Sequence, residues 1–370
     1  LDHVAPHDDD TPTKGTILIV CSTCHTFPSD EVRKFIGTID PLDRNGRKKA
    51  WYGITVWMDQ YFRRTFIDEG AQHSAFGNTE GGEGTFILNA DKELISSLLA
   101  RVATEENIST VGLYAAHTDI DVQSPEPGTI ITEYQLPPDP NGWRREVLAP
   151  PGSEYIWGVD KYGNKLFRMS PSTGEGLKWF DVPGIKPGPH TINRDASGNI
   201  WVTLEEGEGI GKFDPRTEKW EIFGYGHLSD EQMLAHDIAY DKDSNVVTDV
   251  NGNLWVSIIT TNQMVSINPV TKEAKAHELP TATGRTASQS LLYGTVMNAD
   301  KTKVYWSQLR GNLGVTDVNT GVSSVILELP NYSGPRRLAV DEHDRLWAPL
   351  YGTGEIVSFD TRTDKEIARY

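Results

Sequence analysis

The sequence has little of several features, and each scarcity excludes a class of protein. No stretch approaches the roughly 18 consecutive apolar residues that a membrane-spanning helix needs, so no membrane span is predicted. Lysine and arginine number 35 against 52 aspartates and glutamates, which gives a formal net charge of −17. A chain this acidic lacks the basic surface that binding to nucleic acids or anionic membranes requires. Its charge favours solubility and, as an alternative, attraction to a basic partner protein.

Cysteine is also scarce, because the 370 residues contain only Cys21 and Cys24. A disulfide framework in a chain of this length would use more cysteines. Together with His25 the pair forms a C-x-x-C-H motif, which is typical of covalent c-type haem attachment. The two thiols bond to the haem and the histidine ligates its iron. The motif therefore predicts one haem c, with a redox disulfide or a zinc site as the alternatives.

The second axial ligand of such an iron is predicted from the few candidates in the first part of the chain. Met58 is the only methionine among the first 150 residues, and we predict that it ligates the iron. The alternative for Met58 is packing in an apolar core, since it lies in an aromatic-rich helical pattern. His73 and His117 are the other candidate ligands.

Hydrophobic periodicity divides the chain into two regions. Residues 1–13 are polar and are predicted to form a tail. Residues 14–112 carry apolar residues at helical steps of three and four, as at Trp51, Ile54 and Met58. A linker with prolines is predicted at 113–130. From 131 to 370, short β-rich stretches alternate with turns, which predicts an all-β domain after a small all-α domain.

The all-β region repeats itself. Tryptophans recur every 41 to 54 residues, at Trp157, Trp201, Trp255, Trp306 and Trp347. A turn ending in threonine follows each of them, at Thr173, Thr217, Thr271, Thr320 and Thr363. Several strands in a period near 40 to 50 residues are typical of β-propeller blades. Five repeats are visible and six or seven blades are commoner, so either residues 130–134 close a small ring or the natural chain continues.

Equivalent positions of successive blades converge on a propeller axis, which predicts a site in the central funnel. His190 and His236 occupy such positions, and Arg336 occupies the one in the fifth repeat. Glu205 follows the Trp201 strand, where a carboxylate would face the funnel. The alternative is that these side chains close the channel with hydrogen bonds and bind nothing.

Two segments resemble known families. Residues 187–203 and 334–347 resemble the blades of virginiamycin B lyase-like propellers, the streptogramin lyases. Residues 21–26 and the helix with Trp51 and Met58 look like the small cytochrome c domain found ahead of such propellers in some bacterial proteins.

The lyase resemblance implies a specific chemistry. These lyases open a lactone by elimination, with a histidine base, further histidine and glutamate side chains, and Mg²⁺. The resemblance implies His190, His236 and Glu205 as catalytic residues. Arg336 and Arg337 depart from the expected pattern and argue against a Mg²⁺-dependent elimination. The segment from Asp241 to Asn245 has the alternating oxygen spacing of the start of a Ca²⁺ loop. The glycine and glutamate of that motif are missing, which favours an exposed turn as the alternative.

Together these observations predict an exported monohaem c-type cytochrome with a β-propeller, acting in electron transfer with a basic redox partner or within a complex. The periplasm or cell exterior is expected, with the leader already removed. The alternatives are a virginiamycin B lyase-like enzyme that binds a small molecule in the funnel, or a scaffold subunit of a larger complex. Whether the chain is an enzyme therefore stays open at the level of sequence.

Overall fold

The computed structural model describes residues 48–50, 52, 134, 136–137, 144–150, 152–331 and 333–370. Residues 48–50 and 52 are helical, within the helix predicted near Trp51. The predicted haem residues Cys21, Cys24, His25 and Met58 lie outside the described residues, as do the tail, the linker and nearly all of the predicted cytochrome c-like domain. That half of the predicted fold stays a prediction.

The described residues form five four-stranded antiparallel sheets, and each sheet consists of four strands that are consecutive in the sequence. The strands of the first two sheets are β1 (Arg144–Leu148), β2 (Ile156–Asp160), β3 (Lys165–Met169), β4 (Lys178–Asp181), β5 (Pro189–Arg194), β6 (Ile200–Leu204), β7 (Gly209–Asp214) and β8 (Lys219–Gly224). Those of the third and fourth are β9 (Ala235–Ile238), β10 (Leu254–Ile258), β11 (Gln263–Ile267), β12 (Ala274–Glu278), β13 (Leu292–Met297), β14 (Lys303–Gln308), β15 (Leu313–Asp317) and β16 (Ser323–Leu327). The fifth contains β17 (Ala339–Val340), β18 (Arg345–Leu350), β19 (Glu355–Asp360) and β20 (Lys365–Arg369). The five predicted repeats therefore correspond to five sheets.

Two short helices lie between sheets. A 3-10 helix spans Gly226–Leu228, and helix α1 spans Ala287–Ser290. In the part of the chain that the structure describes, no helix has the length and apolar character needed to cross a bilayer.

An aspartate in the turn before the second strand explains the repeated tryptophan. The carboxylate of Asp195 accepts hydrogen bonds from the backbone N–H groups of Ser197 and Asn199, each at 2.9 Å. It also accepts the indole N–H of Trp201 at 3.0 Å. The same indole bond measures 2.7 Å for Asp249 with Trp255 and 2.9 Å for Asp341 with Trp347. In the second, third and fifth sheets, the turn and the tryptophan of the second strand are thus one structural unit.

In the fourth sheet, different residues accept the backbone N–H groups of the turn and the indole N–H of the tryptophan. The side chain of Asn298 accepts the backbone N–H groups of Thr302 and Lys303, at 3.0 and 2.9 Å. The indole of Trp306 donates instead to Thr316 Oγ1 at 3.1 Å. The aspartate turn is therefore absent before Trp306, although its tryptophan is buried like Trp201 and Trp255.

The apolar core lies between successive sheets. One buried cluster combines residues of the first and second sheets, including Trp157, Phe180 and Phe213. Others combine the second with the third sheet and the third with the fourth. A strand that contributes to two such clusters buries side chains on both faces, which explains strands such as β10 in which every residue is buried.

The chain divides into two compact units. The larger contains Tyr134–Leu329, Pro335–Pro349 and Glu355–Tyr370, and it holds all the site residues described below. The described part of the other unit includes Pro330–Gly334 and Leu350–Gly354. Those two segments are joined by a backbone hydrogen bond from Gly352 to Ser333, at 2.8 Å.

Candidate functional site

The first strands of the five sheets contact one another in succession, β1 with β5, β5 with β9, β9 with β13 and β13 with β17. Polar side chains gather where these strands begin. We call them the inner-strand cluster, which consists of Arg145, Glu146, His190, Thr191, His236, Asp237, Tyr293, Arg336 and Arg337.

The two predicted histidines lie side by side in this cluster. The ring centres of His190 and His236 are 4.7 Å apart. Both residues are buried, with exposed fractions of 4% and 2%. The structure thus brings together two residues that are 46 positions apart in the chain (236 − 190).

The hydrogen bonds of His190 engage both of its ring nitrogens. Arg145 Nε can only donate, and it lies 2.9 Å from His190 Nε2, so this nitrogen accepts. The proton of the neutral ring is then on Nδ1, which lies 3.2 Å from Thr191 Oγ1. The basic lone pair of His190 is therefore occupied by the arginine.

His236 is held differently. Its Nδ1 lies 3.1 Å from the backbone carbonyl of Tyr293, which can only accept, so Nδ1 carries the proton. The Tyr293 ring contacts the imidazole with ring centres 3.7 Å apart. Within the described part of the chain, His236 Nε2 makes no hydrogen bond. Of the two imidazoles, His236 alone therefore keeps a basic nitrogen that no described residue engages.

Burial and nearby cations keep both imidazoles neutral. Burial is the largest cause that holds the pKa of each histidine well below its usual value. The positive charges of Arg337 and Arg145 add to the effect at His236. At neutral pH the free nitrogen of His236 is consequently unprotonated, as a proton acceptor must be.

Arg337 connects the cluster across four sheets. Its guanidinium donates to Asp237 Oδ1 and Glu146 Oε2, both at 3.1 Å, and to Thr191 Oγ1 at 2.9 Å. Thr191 in turn donates to the backbone carbonyl of His236 at 2.5 Å. Burial raises the pKa of Asp237 to about 6 even though Arg337 acts in the opposite direction. Arg337 therefore compensates buried carboxylates and fixes the backbone that carries His236.

Arg336 lies near Tyr293, the aromatic neighbour of His236. The centre of its guanidinium is 5.6 Å from the centre of the Tyr293 ring, and its charge contributes to the lowered pKa of His236. Its backbone carbonyl accepts a hydrogen bond from Ser307 Oγ at 2.6 Å. The sequence prediction that Arg336 lies with the two histidines agrees with this arrangement.

Glu205 pairs with a lysine and not with the two histidines. Its carboxylate forms a buried ion pair with Lys161, whose Nζ is also 3.9 Å from Glu206. No hydrogen bond among the described residues joins Glu205 to His190 or His236. Lys161 does lie within electrostatic reach of His190, since its charge helps to lower the pKa of that imidazole.

The described residues contain no counterpart of the Ca²⁺ and Mg²⁺ sites considered from the sequence. Among the described residues, no three His, Cys, Asp or Glu side chains are grouped so that they could hold a metal ion. The Asp241 carboxylate accepts the backbone N–H groups of Asp243 and Asn245, each at 3.0 Å, and so closes its own turn.

Sequence reasoning missed Arg145, Glu146, Thr191, Asp237 and Tyr293 as members of the cluster. The repeat contained a usable signal, because Arg145 and Tyr293 occupy the starts of the first and fourth inner strands. The pairing register shifts at Arg144/Glu146, Pro189/Ile192 and Leu292/Thr295. Such bulges break the alternation of side chains, so neighbouring residues such as His190 and Thr191 both join the cluster.

Three solved structures are informative for comparison. Virginiamycin B lyase from Staphylococcus aureus matches with a TM-score of 0.51 and 19% identity, over 65% of this chain and 73% of that one. The fold is a β-propeller. A catalytically inactive variant of the same lyase, solved with quinupristin, matches the propeller with a TM-score of 0.50 and 18% identity, over 64% and 72% of the two chains. Regucalcin from Agrobacterium tumefaciens matches with a TM-score of 0.43 and 14% identity, over 62% and 73%.

The other comparisons found no relatives: no protein-family model matches the chain, and no curated protein matches its sequence. The structural likeness establishes the propeller fold and agrees with the predicted resemblance to virginiamycin B lyase-like blades. It lends no support to the predicted fusion with a cytochrome c domain or to electron transfer.

Proposed function

We propose that the inner-strand cluster is the active site of a lyase-type enzyme, in which Nε2 of His236 removes a proton from a small-molecule substrate. The observation that carries this proposal is the different bonding of the two imidazoles. Arg145 occupies the basic nitrogen of His190, whereas the carbonyl of Tyr293 orients His236 so that its basic nitrogen stays available. His190 is therefore a positioning residue, and His236 is the base.

The reaction we propose is an elimination. His236 Nε2 takes a proton from carbon, the electron pair of that C–H bond forms a C=C bond, and the neighbouring C–O bond breaks so that its electrons leave with oxygen. A neutral imidazole is a suitable base for such a step near neutral pH. The negative charge that develops on the substrate would be stabilised by the arginines around the imidazole, which are fixed before substrate binds.

The structural neighbours include an enzyme of the proposed class, virginiamycin B lyase. One of them is described as a catalytically inactive variant of virginiamycin B lyase with quinupristin. At 18% identity this likeness concerns the fold, so the roles of His190 and His236 rest on their own hydrogen bonds. Glu205 was predicted as a third catalytic group, but its ion pair with Lys161 favours a role in holding the loop after β6.

The test is turnover in D₂O with quinupristin and with malate, a small acid that has a leaving oxygen next to a C–H bond. Product formation and loss of the C–H signal are followed by NMR. Wild-type protein should act on at least one compound, and His236→Gln should lower the rate by about 100-fold or more. The matched control is His343→Gln, since His343 is exposed in a turn of the fifth sheet. If wild type leaves both compounds unchanged, or His236→Gln keeps the wild-type rate, the proposal is wrong.

A second function is favoured by the C-x-x-C-H motif. We propose that Cys21 and Cys24 attach one haem c, with His25 as an axial ligand of its iron. Two thiols and an imidazole in this order are the donor set that such attachment needs. The bound group would supply one-electron chemistry, and Met58 is the proposed second ligand. Export to the periplasm or cell exterior and a basic redox partner, or a larger complex, follow from this proposal.

The haem proposal is tested by a reduced-minus-oxidised absorption spectrum and the intact mass of protein expressed with a cytochrome c maturation system. We expect a c-type spectrum and the added mass of one haem. Replacing both cysteines by alanine should abolish both signals, and Met58→Ala should remove the long-wavelength band of methionine ligation. A bare polypeptide mass from the wild-type protein would contradict haem attachment.

A further inference from the structure

We propose that Arg168 of the first sheet binds a small oxyanion, a carboxylate or a phosphate group. The site lies on strands β2, β3 and β4 and includes no residue of the inner-strand cluster, so it is independent of the proposed reaction. The observation that carries the proposal is a guanidinium that lies among aromatic rings and whose buried nitrogen has no hydrogen-bond acceptor.

Three aromatic rings lie near the Arg168 guanidinium and fix its position. Its central carbon is 4.2 Å from the ring centre of Tyr155, 5.7 Å from that of Trp157 and 5.9 Å from that of Phe180. An aromatic face attracts a cation electrostatically, but it does not replace the oxygen acceptors that the five N–H donors of a guanidinium bind. The rings therefore hold the cation in place and leave its donors available.

Arg168 has no side-chain acceptor in the part of the chain that the structure describes. Its Nε is buried without a hydrogen bond, and its side chain forms no ion pair with any described carboxylate. Two carboxylates on neighbouring residues are bonded to other groups, Glu218 to Lys178 Nζ at 2.5 Å and Glu154 to the hydroxyl of Tyr155. The residue is half-buried, so the part of its side chain that reaches solvent is the outer end, with the two terminal nitrogens. An oxyanion bound there would neutralise a cation that the fold leaves without a counter-charge.

A second cation lies directly opposite Arg168. Arg168 of β3 and Lys178 of β4 are partners in the antiparallel register, so their side chains are neighbours on one face of the sheet. The Lys178 ammonium also lies near the Phe180 ring, 5.1 Å from its centre. Like charges at opposite positions destabilise a sheet, and Glu218 offsets only one of the two. An anion at Arg168 would remove the remaining repulsion.

The first sheet differs at this position from the three sheets that follow it. In each of the four, the tryptophan of the second strand is paired with one residue of the third strand, which is paired with one residue of the fourth. Those two residues are Arg168 and Lys178 in the first sheet, Lys212 and Glu221 in the second, Ser266 and Lys275 in the third, and Gly314 and Val325 in the fourth. The second sheet thus places a carboxylate opposite its cation, whereas the first places another cation there. In the first sheet the anion has to come from solution, and a guanidinium suits an oxyanion because it can donate two parallel N–H···O bonds.

The experiment measures binding of inorganic phosphate and of acetate to the full chain by calorimetry, with the ionic strength held constant by sodium chloride. Wild type should bind one or both. Binding of phosphate alone would identify phosphate groups as the ligand, and binding of acetate alone would identify carboxylates. Arg168→Gln should weaken binding by roughly tenfold or more, with Arg168→Lys intermediate because lysine keeps the charge and loses the two-bond geometry. The matched control is Lys212→Gln, which removes the cation at the same position of the second sheet and should leave binding unchanged.

A double variant supplies the anion from the protein itself. Lys178→Glu combined with Glu218→Lys places a carboxylate opposite Arg168, as in the second sheet, and keeps the ion pair between residues 178 and 218 with its charges reversed. This variant should lose anion binding. Phosphate or acetate should raise the urea midpoint of wild type, because a ligand of the folded state stabilises it, and should leave the midpoint of the double variant unchanged.

A further measurement does not depend on the folding of a variant. Phenylglyoxal modifies accessible arginines, and peptide mass spectrometry should show that the bound anion protects Arg168 in the wild-type protein. The proposal is overturned if wild type binds neither anion, if Arg168→Gln binds like wild type, if Lys212→Gln weakens binding as much as Arg168→Gln does, or if Arg168 gains no protection. None of these results bears on the loss of turnover in His236→Gln.

Discussion

Two regions of each blade differ in how far their side chains repeat: the turn between the third and fourth strands, and the start of the first, inner strand. At the turns between third and fourth strands, the same feature recurs from blade to blade: a side-chain oxygen accepts the backbone N–H two residues later, at Asp214, Asn268, Asp317 and Asp360. At the starts of the inner strands, each blade contributes different side chains: arginine with glutamate, histidine with threonine, histidine with aspartate, tyrosine, and a pair of arginines. Repetition therefore identifies what holds the fold, and departure from repetition identifies what the site does.

The largest effect on turnover should come from a substitution in the inner-strand cluster. His236→Gln keeps a side chain of similar size but removes the basic nitrogen, and we expect a loss of about 100- to 10,000-fold in turnover. His190→Gln should cost less, because its basic nitrogen already accepts a hydrogen bond from Arg145. Steady-state rates of both variants test this order. Equal losses in the two variants would mean that the different bonding of the two rings has no catalytic meaning.

A variant in a turn should lower stability without changing the reaction rate. Asp249→Ala leaves the indole N–H of the buried Trp255 without its acceptor and frees two backbone N–H groups. We expect a loss of about 3 kcal/mol in the free energy of unfolding, measured by urea denaturation, with an unchanged rate per folded molecule. Asp243→Asn in an exposed turn is the control. Loss of activity without loss of stability would contradict the division between turns and cluster.

The sequence predicted the repeated tryptophans and turns better than the inner-strand cluster, whose side chains differ from blade to blade. Trp201 and Thr217 have counterparts in register in every repeat, so five repeats could be counted. The convergence of His190 and His236 also followed from their equivalent positions. Their bonding did not, since it depends on Arg145 and on the Tyr293 carbonyl, and the bulges at the starts of β1, β5 and β13 shift the alternation there.

Glu205 shows a different limit of sequence reasoning. Its position after the Trp201 strand indicated a carboxylate facing the funnel, but sequence alone could not show that Lys161 of the preceding blade pairs with it. Such a pairing is a tertiary contact over 44 residues. Predictions made from one repeat at a time therefore find candidate groups, whereas the partners that bind them come from the neighbouring blade.

Arg337 lies in the inner-strand cluster and also has a structural role, since its hydrogen bonds hold the cluster together. Arg337→Met keeps much of the apolar stem but leaves Asp237, whose side chain is fully buried, without its cation. We expect a loss of about 2 kcal/mol in unfolding free energy, less than for a fully buried ion pair, because 31% of the Arg337 side chain is exposed. Urea denaturation measures it, and Arg337→Met combined with Asp237→Asn should recover part of the loss. No recovery would show that the two residues do not act as a pair.

The last effect is a pH dependence of stability to which the two buried histidines should contribute. The pKa values of His190 and His236 are lowered in the folded protein, chiefly by burial. Their contribution to stability is therefore complete above the unfolded histidine pKa of about 6.5 and is lost as pH falls, because unfolded histidines gain protons that the folded ones do not. Each should cost up to about 1.4 kcal/mol for every pH unit below 6.5 until its folded pKa is reached. Urea denaturation at pH 7, 6 and 5 should show a weaker decline in His236→Gln than in wild type, and an unchanged decline in His343→Gln. Parallel curves for wild type and His236→Gln would mean that this imidazole is not held neutral by the fold, and the free basic nitrogen would lose its physical basis.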